Sequence, residues 1–60
     1  MNYKKKWQDN LLKKLRERGK VKVETRDVRV MNYMIELKEA GKIEAEPTGS
    51  GAWACRLKAH

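Results

Sequence analysis

The chain has 60 residues, a single cysteine and a formal charge of +7. That length suffices for one small domain and excludes a second core, and the lone Cys55 excludes an internal disulfide framework and fits a reducing compartment. No apolar run approaches the roughly 18 residues of a membrane span, and the basic start MNYKKKW leads into no apolar signal segment, so the expectation is a soluble, cytoplasmic protein.

Residues 4–18 read as a helix: Tyr3, Trp7, Leu11, Leu12 and Leu15 recur at spacings of four and three, and Gly19 ends the pattern. Lys5, Lys6, Lys13 and Arg16 point away from that apolar stripe, and residues 1–6 form a basic tail or first turn. Residues 1–22 hold nine Lys or Arg against Asp9 and Glu17, whereas the remaining 38 residues sum to zero. An excess gathered in the first third favours a polyanion, because each phosphate neutralised releases condensed counterions. A helix lying on a membrane surface shares part of this pattern, but the downstream elements offer this one a core to pack on.

Val21, Lys22, Val23 and Glu24 alternate apolar and polar, which predicts a short strand. A second helix follows over residues 25–41, with Thr25 expected as its cap and Gly41 as its left-handed end. Val30, Met31, Met34, Ile35 and Leu37 gather on one broad face, opposite a stripe of Thr25, Arg29, Asn32, Glu36 and Glu39. Eight of the fifteen residues 26–40 are apolar, so either several elements surround this helix or part of it meets a second copy in a homodimer. The ordinary reading of the polar stripe is a solvated face. The sharper one rests on Arg29 and Asn32, types that pair bidentately with guanine and adenine edges, with Val28 beside a thymine methyl and Tyr33 at the margin.

Beyond Gly41, Ile43 and Ala45 alternate with Glu44 and Glu46, residues 47–51 form a turn cluster, and Trp53, Cys55 and Leu57 alternate with Ala52, Ala54 and Arg56. This is a β-hairpin pattern. Its expected inner face is Ile43, Ala45, Trp53, Cys55 and Leu57, with Trp53 buried; on the outer face Glu44 or Glu46 pairs with Arg56.

No catalytic set is legible. His60 is the only histidine and lies at the end of the chain, Cys55 reads as a core residue, and no Cys/His cluster has zinc spacing. The turn at residues 49–51 lacks the lysine and following helix of a phosphate loop. The expectation is a non-enzyme with no cofactor and no metal.

Helix, short strand, a helix closing in Leu37-Lys38-Glu39-Ala40-Gly41-Lys42-Ile43, then a hairpin with a Gly-rich tip: this order resembles a winged helix-turn-helix domain, and the helix-end motif matches that family apart from the inserted Lys42. The resemblance spans most of residues 7–58. It implies an α+β fold, a small winged helix with residues 42–58 as its β-hairpin wing, in one domain over residues 1–60. It also implies double-stranded DNA as partner, with residues 26–33 as the exposed start of the recognition helix and residues 48–51 as the wing tip. Chains this short with this pattern are similar to phage and mobile-element regulators and excision factors. The candidate contacts are Lys4, Lys5, Lys6, Lys13, Arg16, Lys20 and Lys22 for phosphates, Arg26, Arg29, Asn32 and Tyr33 for the groove, and Thr48 and Ser50 at the tip.

Two features depart from the family. Residues 19–27 leave room for only a strand and one turn, so either the helix before the recognition helix is missing or the first turns of the 25–41 segment supply it. The wing carries Glu44 and Glu46 and no basic residue at its tip. Single-stranded nucleic acid or RNA, stacking on Tyr33 and Trp53, is a further alternative. Another is a protein-interaction module that binds and modulates a nucleic-acid-processing enzyme.

Overall fold

A computed structural model describes residues 2–49 and 51–58. In chain order it comprises α1 (Tyr3–Arg18), β1 (Lys20–Glu24), α2 (Val28–Glu39), β2 (Ile43–Gly49) and β3 (Ala52–Leu57). This is a small α+β fold with a three-stranded antiparallel sheet in the order β1-β3-β2.

Side chains on successive strand residues point to opposite faces, and only one face is covered. On that face Ile43, Ala45 and Cys55 join Leu11 and Leu15 of α1 and Met34 and Leu37 of α2 in the core, with Val21, Val23 and Trp53 packed half-buried at its margin. The other face carries Lys20, Lys22, Glu44, Ala54 and Arg56. There Arg56 meets Glu44 at 2.7 Å, one of the two cross-strand pairs expected.

Each helix end has an identifiable cause. The Asn2 side chain accepts from the Lys5 N–H (3.1 Å), and Gly19, at φ 82°, closes α1 through a bond from its N–H to the Leu15 carbonyl. Thr25 is not the cap of α2. Asp27 is: its Oδ1 accepts from the Arg29 N–H at 2.9 Å, while the Thr25 hydroxyl accepts from the Asp27 N–H at 3.0 Å. Two acceptor side chains in succession hold residues 25–27 in a non-helical turn, so the helix starts later than expected and no further helix stands between β1 and α2. At the other end Lys42 N–H reaches the Leu37 carbonyl and Gly41 N–H the Lys38 carbonyl, with Gly41 at φ 77°. That is the paired closure in which glycine is favoured.

The hairpin differs from its pattern in four places. Pro47, Thr48 and Gly49 continue β2 instead of forming the turn, with a register shift between Pro47 and Gly49 that tightens the connection. Beside that bulge the alternation breaks and Ala52, expected outside, is buried. Leu57, expected inside, is 38% exposed because β1 begins at Lys20, opposite Arg56, and gives it no neighbour on that side, and Trp53 is half-buried rather than enclosed. Of the broad apolar face of α2, Met34 and Leu37 are buried and Val30, Met31 and Ile35 half-buried. Among the described residues no helix is long and apolar enough to cross a membrane.

Candidate nucleic-acid interface

The start of α2 is bare. Val28 is 62% exposed, and Arg29 and Asn32 are exposed on the same side of the helix. Arg29 is held, however: its guanidinium lies 3.4 Å from both Asp27 carboxylate oxygens while its own backbone N–H caps onto that carboxylate. The Arg29 backbone N–H, then its guanidinium, keep Asp27 below the usual carboxylate range. A guanidinium fixed this way has its planar fork pre-oriented, and it sits beside a negative charge that any phosphate must tolerate.

Two neighbours flank this helix start. The Thr25 N–H donates to the Gly51 carbonyl at 2.9 Å, pinning the hairpin tip to the turn ahead of α2. There the Arg26 side chain runs beside the tip, its Cγ 3.9 Å from where a Cβ on Gly51 would lie. Arg26 thus stands next to a hairpin tip that has no Lys or Arg of its own. On the other flank, Tyr3 of α1 lines one shallow hollow with Arg29, Val30 and Tyr33 and a second with Lys6, Trp7 and Asn10. Trp7 and Tyr33 lock the two helices together with ring centroids 6.2 Å apart, and Gln8 Nε2 donates to the Tyr33 carbonyl at 3.0 Å. Tyr3 thereby borders both Arg29 and Lys6.

Comparison with family models, curated proteins and solved structures gives no match. The geometry alone therefore sorts the candidate residues. Arg26, Arg29 and Asn32 lie at or beside the start of α2, Lys6 is linked to it only through Tyr3, and Thr48 is exposed near the end of β2, whereas Tyr33 is half-buried and serves mainly the α1–α2 contact. Lys4 is tied to Glu36 at 3.3 Å and Lys22 to Glu24 at 3.3 Å, so neither is a free cation. Lys5, Lys13 and Arg16 are exposed on α1, and at 3.6 residues per turn Arg16 points about 140° around the helix from Tyr3. Lys20 stands on the open face of the sheet, away from this surface. Ser50 lies outside the described residues, as does His60.

Tyr3, Asn10 and Lys14 were not among the sequence candidates. Tyr3 bridges the two hollows, and Asn10 and Lys14 continue the surface along α1 to β1. Their spacing of seven and then four residues, about two turns and one along one flank of α1, was the available signal, hidden by the stronger apolar repeat. Among the described residues no three His, Cys, Asp or Glu side chains are grouped to hold a metal ion. Burial pushes the Cys55 thiol up from its ordinary value, which suppresses its thiolate.

Proposed function

We propose that this protein is a small, non-catalytic double-stranded DNA-binding protein of winged-helix type that works in the cytoplasm as a transcriptional regulator or an architectural or excision factor. In this reading α2 enters the major groove by its first turns, Arg29 and Asn32 meet base edges, and Arg26 and Lys6 hold phosphates on either side. The observation that carries it is the flanking of an exposed Arg29 and Asn32 by the hairpin tip with Arg26 on one side and, on the other, by Tyr3, which also borders Lys6. The sheet order β1-β3-β2, with one helix delivered into the hairpin, supports a winged helix reduced by one helix, because residues 25–27 alone join β1 to α2. The loss of that helix accounts for the exposure of Val28.

Titration of a labelled duplex of mixed sequence at low and moderate salt tests the proposal, with single-stranded DNA and RNA of the same sequence alongside. The duplex should be preferred, and its affinity should fall steeply with salt, by a slope of about 0.9 per phosphate contact on logarithmic axes. Equal or tighter capture of the single strands would shift the reading to a stacking mode, and absence of duplex binding at low salt would end it.

A further inference from the structure

The two edges of the sheet are built differently. In an antiparallel ladder, residues that exchange main-chain bonds with the neighbouring strand alternate with residues that turn those groups away. The bond from Thr25 N–H to the Gly51 carbonyl sets the phase for β1, continuing the register in which Val23 faces Trp53 and Val21 faces Cys55. Lys20, Lys22 and Glu24 therefore aim their N–H and C=O groups off the free edge. On β2 the bond from Lys58 N–H to the Lys42 carbonyl turns Ile43, Ala45 and Pro47 outward by the same alternation, and Pro47 has no N–H to offer. One edge is blunted by proline; the other is complete.

A strand matches itself across a two-fold axis only when residues equidistant from its centre suit one another. β1 reads Lys20, Val21, Lys22, Val23, Glu24, with its charged side chains on the open face of the sheet and its valines on the covered one. Centring the axis on Lys22 is the arrangement that pairs all five residues. It sets Lys20 opposite Glu24 twice on the open face and Val21 opposite Val23 twice on the covered face. The charged residues it brings together are those whose main-chain groups already point outward, so the ladder bonds form with no shift of the strand. A slip of one residue sets outward groups against inward ones and valine against charge. Lys22 meets its own copy on the axis, where each is held by Glu24 of its own chain at 3.3 Å, which offsets the like charge.

On the covered side of this edge runs a groove of about 270 Å³ lined by Trp7, Asn10, Leu11 and Lys14 of α1 together with β1. The valines of an added β1 would face that groove and extend its apolar lining. The same axis sets the two α1 helices antiparallel. Lys6, four residues before Asn10, and Glu17, three after Lys14, continue the groove flank of α1 to its two ends. The Lys6 end of one helix is thus turned toward the Glu17 end of the other.

We propose that β1 is a self-pairing edge, through which two copies of this chain join about a two-fold axis at Lys22 into one continuous antiparallel sheet. The edge includes neither Arg29 nor Asn32, so the proposal does not depend on the DNA reading.

Sedimentation of the full chain over a concentration series should show a monomer–dimer equilibrium. Lys20→Glu and Glu24→Lys, each alone, set like charges opposite one another twice and should weaken association by about tenfold. Mixed in equal amounts, the two single variants recover both opposite-charge pairs in the heterodimer, as does the Lys20→Glu, Glu24→Lys double variant with itself, so both should regain most of the loss. Lys22→Pro removes an N–H that the single chain leaves unbonded, so the fold should persist, checked by circular dichroism, while pairing is blocked. In a sample mixing labelled and unlabelled chains, Val21 and Val23 should give an intermolecular Hα–Hα Overhauser signal, as residues opposite one another without exchanged bonds do. A chain that stays monomeric at about millimolar concentration, or mixed single variants that associate no better than either alone, would overturn the proposal. So would association that survives Lys22→Pro, which would place the interface elsewhere.

Discussion

Asp27 serves two purposes at one position, capping α2 and holding Arg29. Asparagine caps about as well but carries no charge. Asp27→Asn should therefore leave the helix formed, raise affinity for every duplex because a negative charge leaves the phosphate side, and flatten sequence preference because the guanidinium is no longer fixed. Unchanged affinity in binding titrations would show that phosphates do not approach this helix start. The same carboxylate makes a pH prediction. Its value is lowered in the folded state, so its stabilising contribution is complete above the ordinary aspartate value and is lost as pH falls through the lowered one. The stability gap between the native chain and Asp27→Asn, measured by denaturant midpoints, should accordingly close on acidification.

Helix ends and strand ends are where sequence and structure part company. The middle of each element was legible, since the repeat of Trp7, Leu11 and Leu15 and the alternation from Ile43 to Ala45 each report a face that must be buried. The start of α2 was not, because Thr25 and Asp27 are both competent caps and the choice depends on the Thr25 hydroxyl accepting from the Asp27 N–H. The fates of Leu57 and Ala52 turned on where β1 begins and on a bulge, neither of which periodicity encodes. Arg29 and Asn32 were readable as an exposed stripe and Arg26 as a groove candidate, whereas the place of Arg26 beside the hairpin tip and the part played by Tyr3 became visible only once the hairpin and α1 were in place. At the end of α2, alanine at Gly41 would force a side chain into a left-handed conformation and cost about 1–2 kcal/mol, read as a lower midpoint of unfolding. Nothing lies within 4 Å of the added Cβ, so the loss is conformational rather than steric.

For the molecule as a whole, a core of a few side chains leaves little stability to spare. Leu15 is fully buried, and Leu15→Ala should cost about 2–5 kcal/mol. That is comparable with the entire stability of a domain this small, so the variant should be largely unfolded by circular dichroism. Because Cys55 is buried at the centre of the same core, its thiol should resist reagents in the native chain and react at once in that variant. The charge of +7 acts at this scale too, drawing the chain to polyanions of any sequence, so affinity alone says little about recognition. What distinguishes reading from mere attraction is a comparison of Arg29→Ala with Lys6→Ala across a set of duplexes. The account predicts that Lys6→Ala weakens all duplexes alike and lowers the salt slope by about one, while Arg29→Ala erases on the order of tenfold of the preference between best and average sequences. If Arg29→Ala instead weakens every duplex by the same factor as Lys6→Ala, α2 does not read bases.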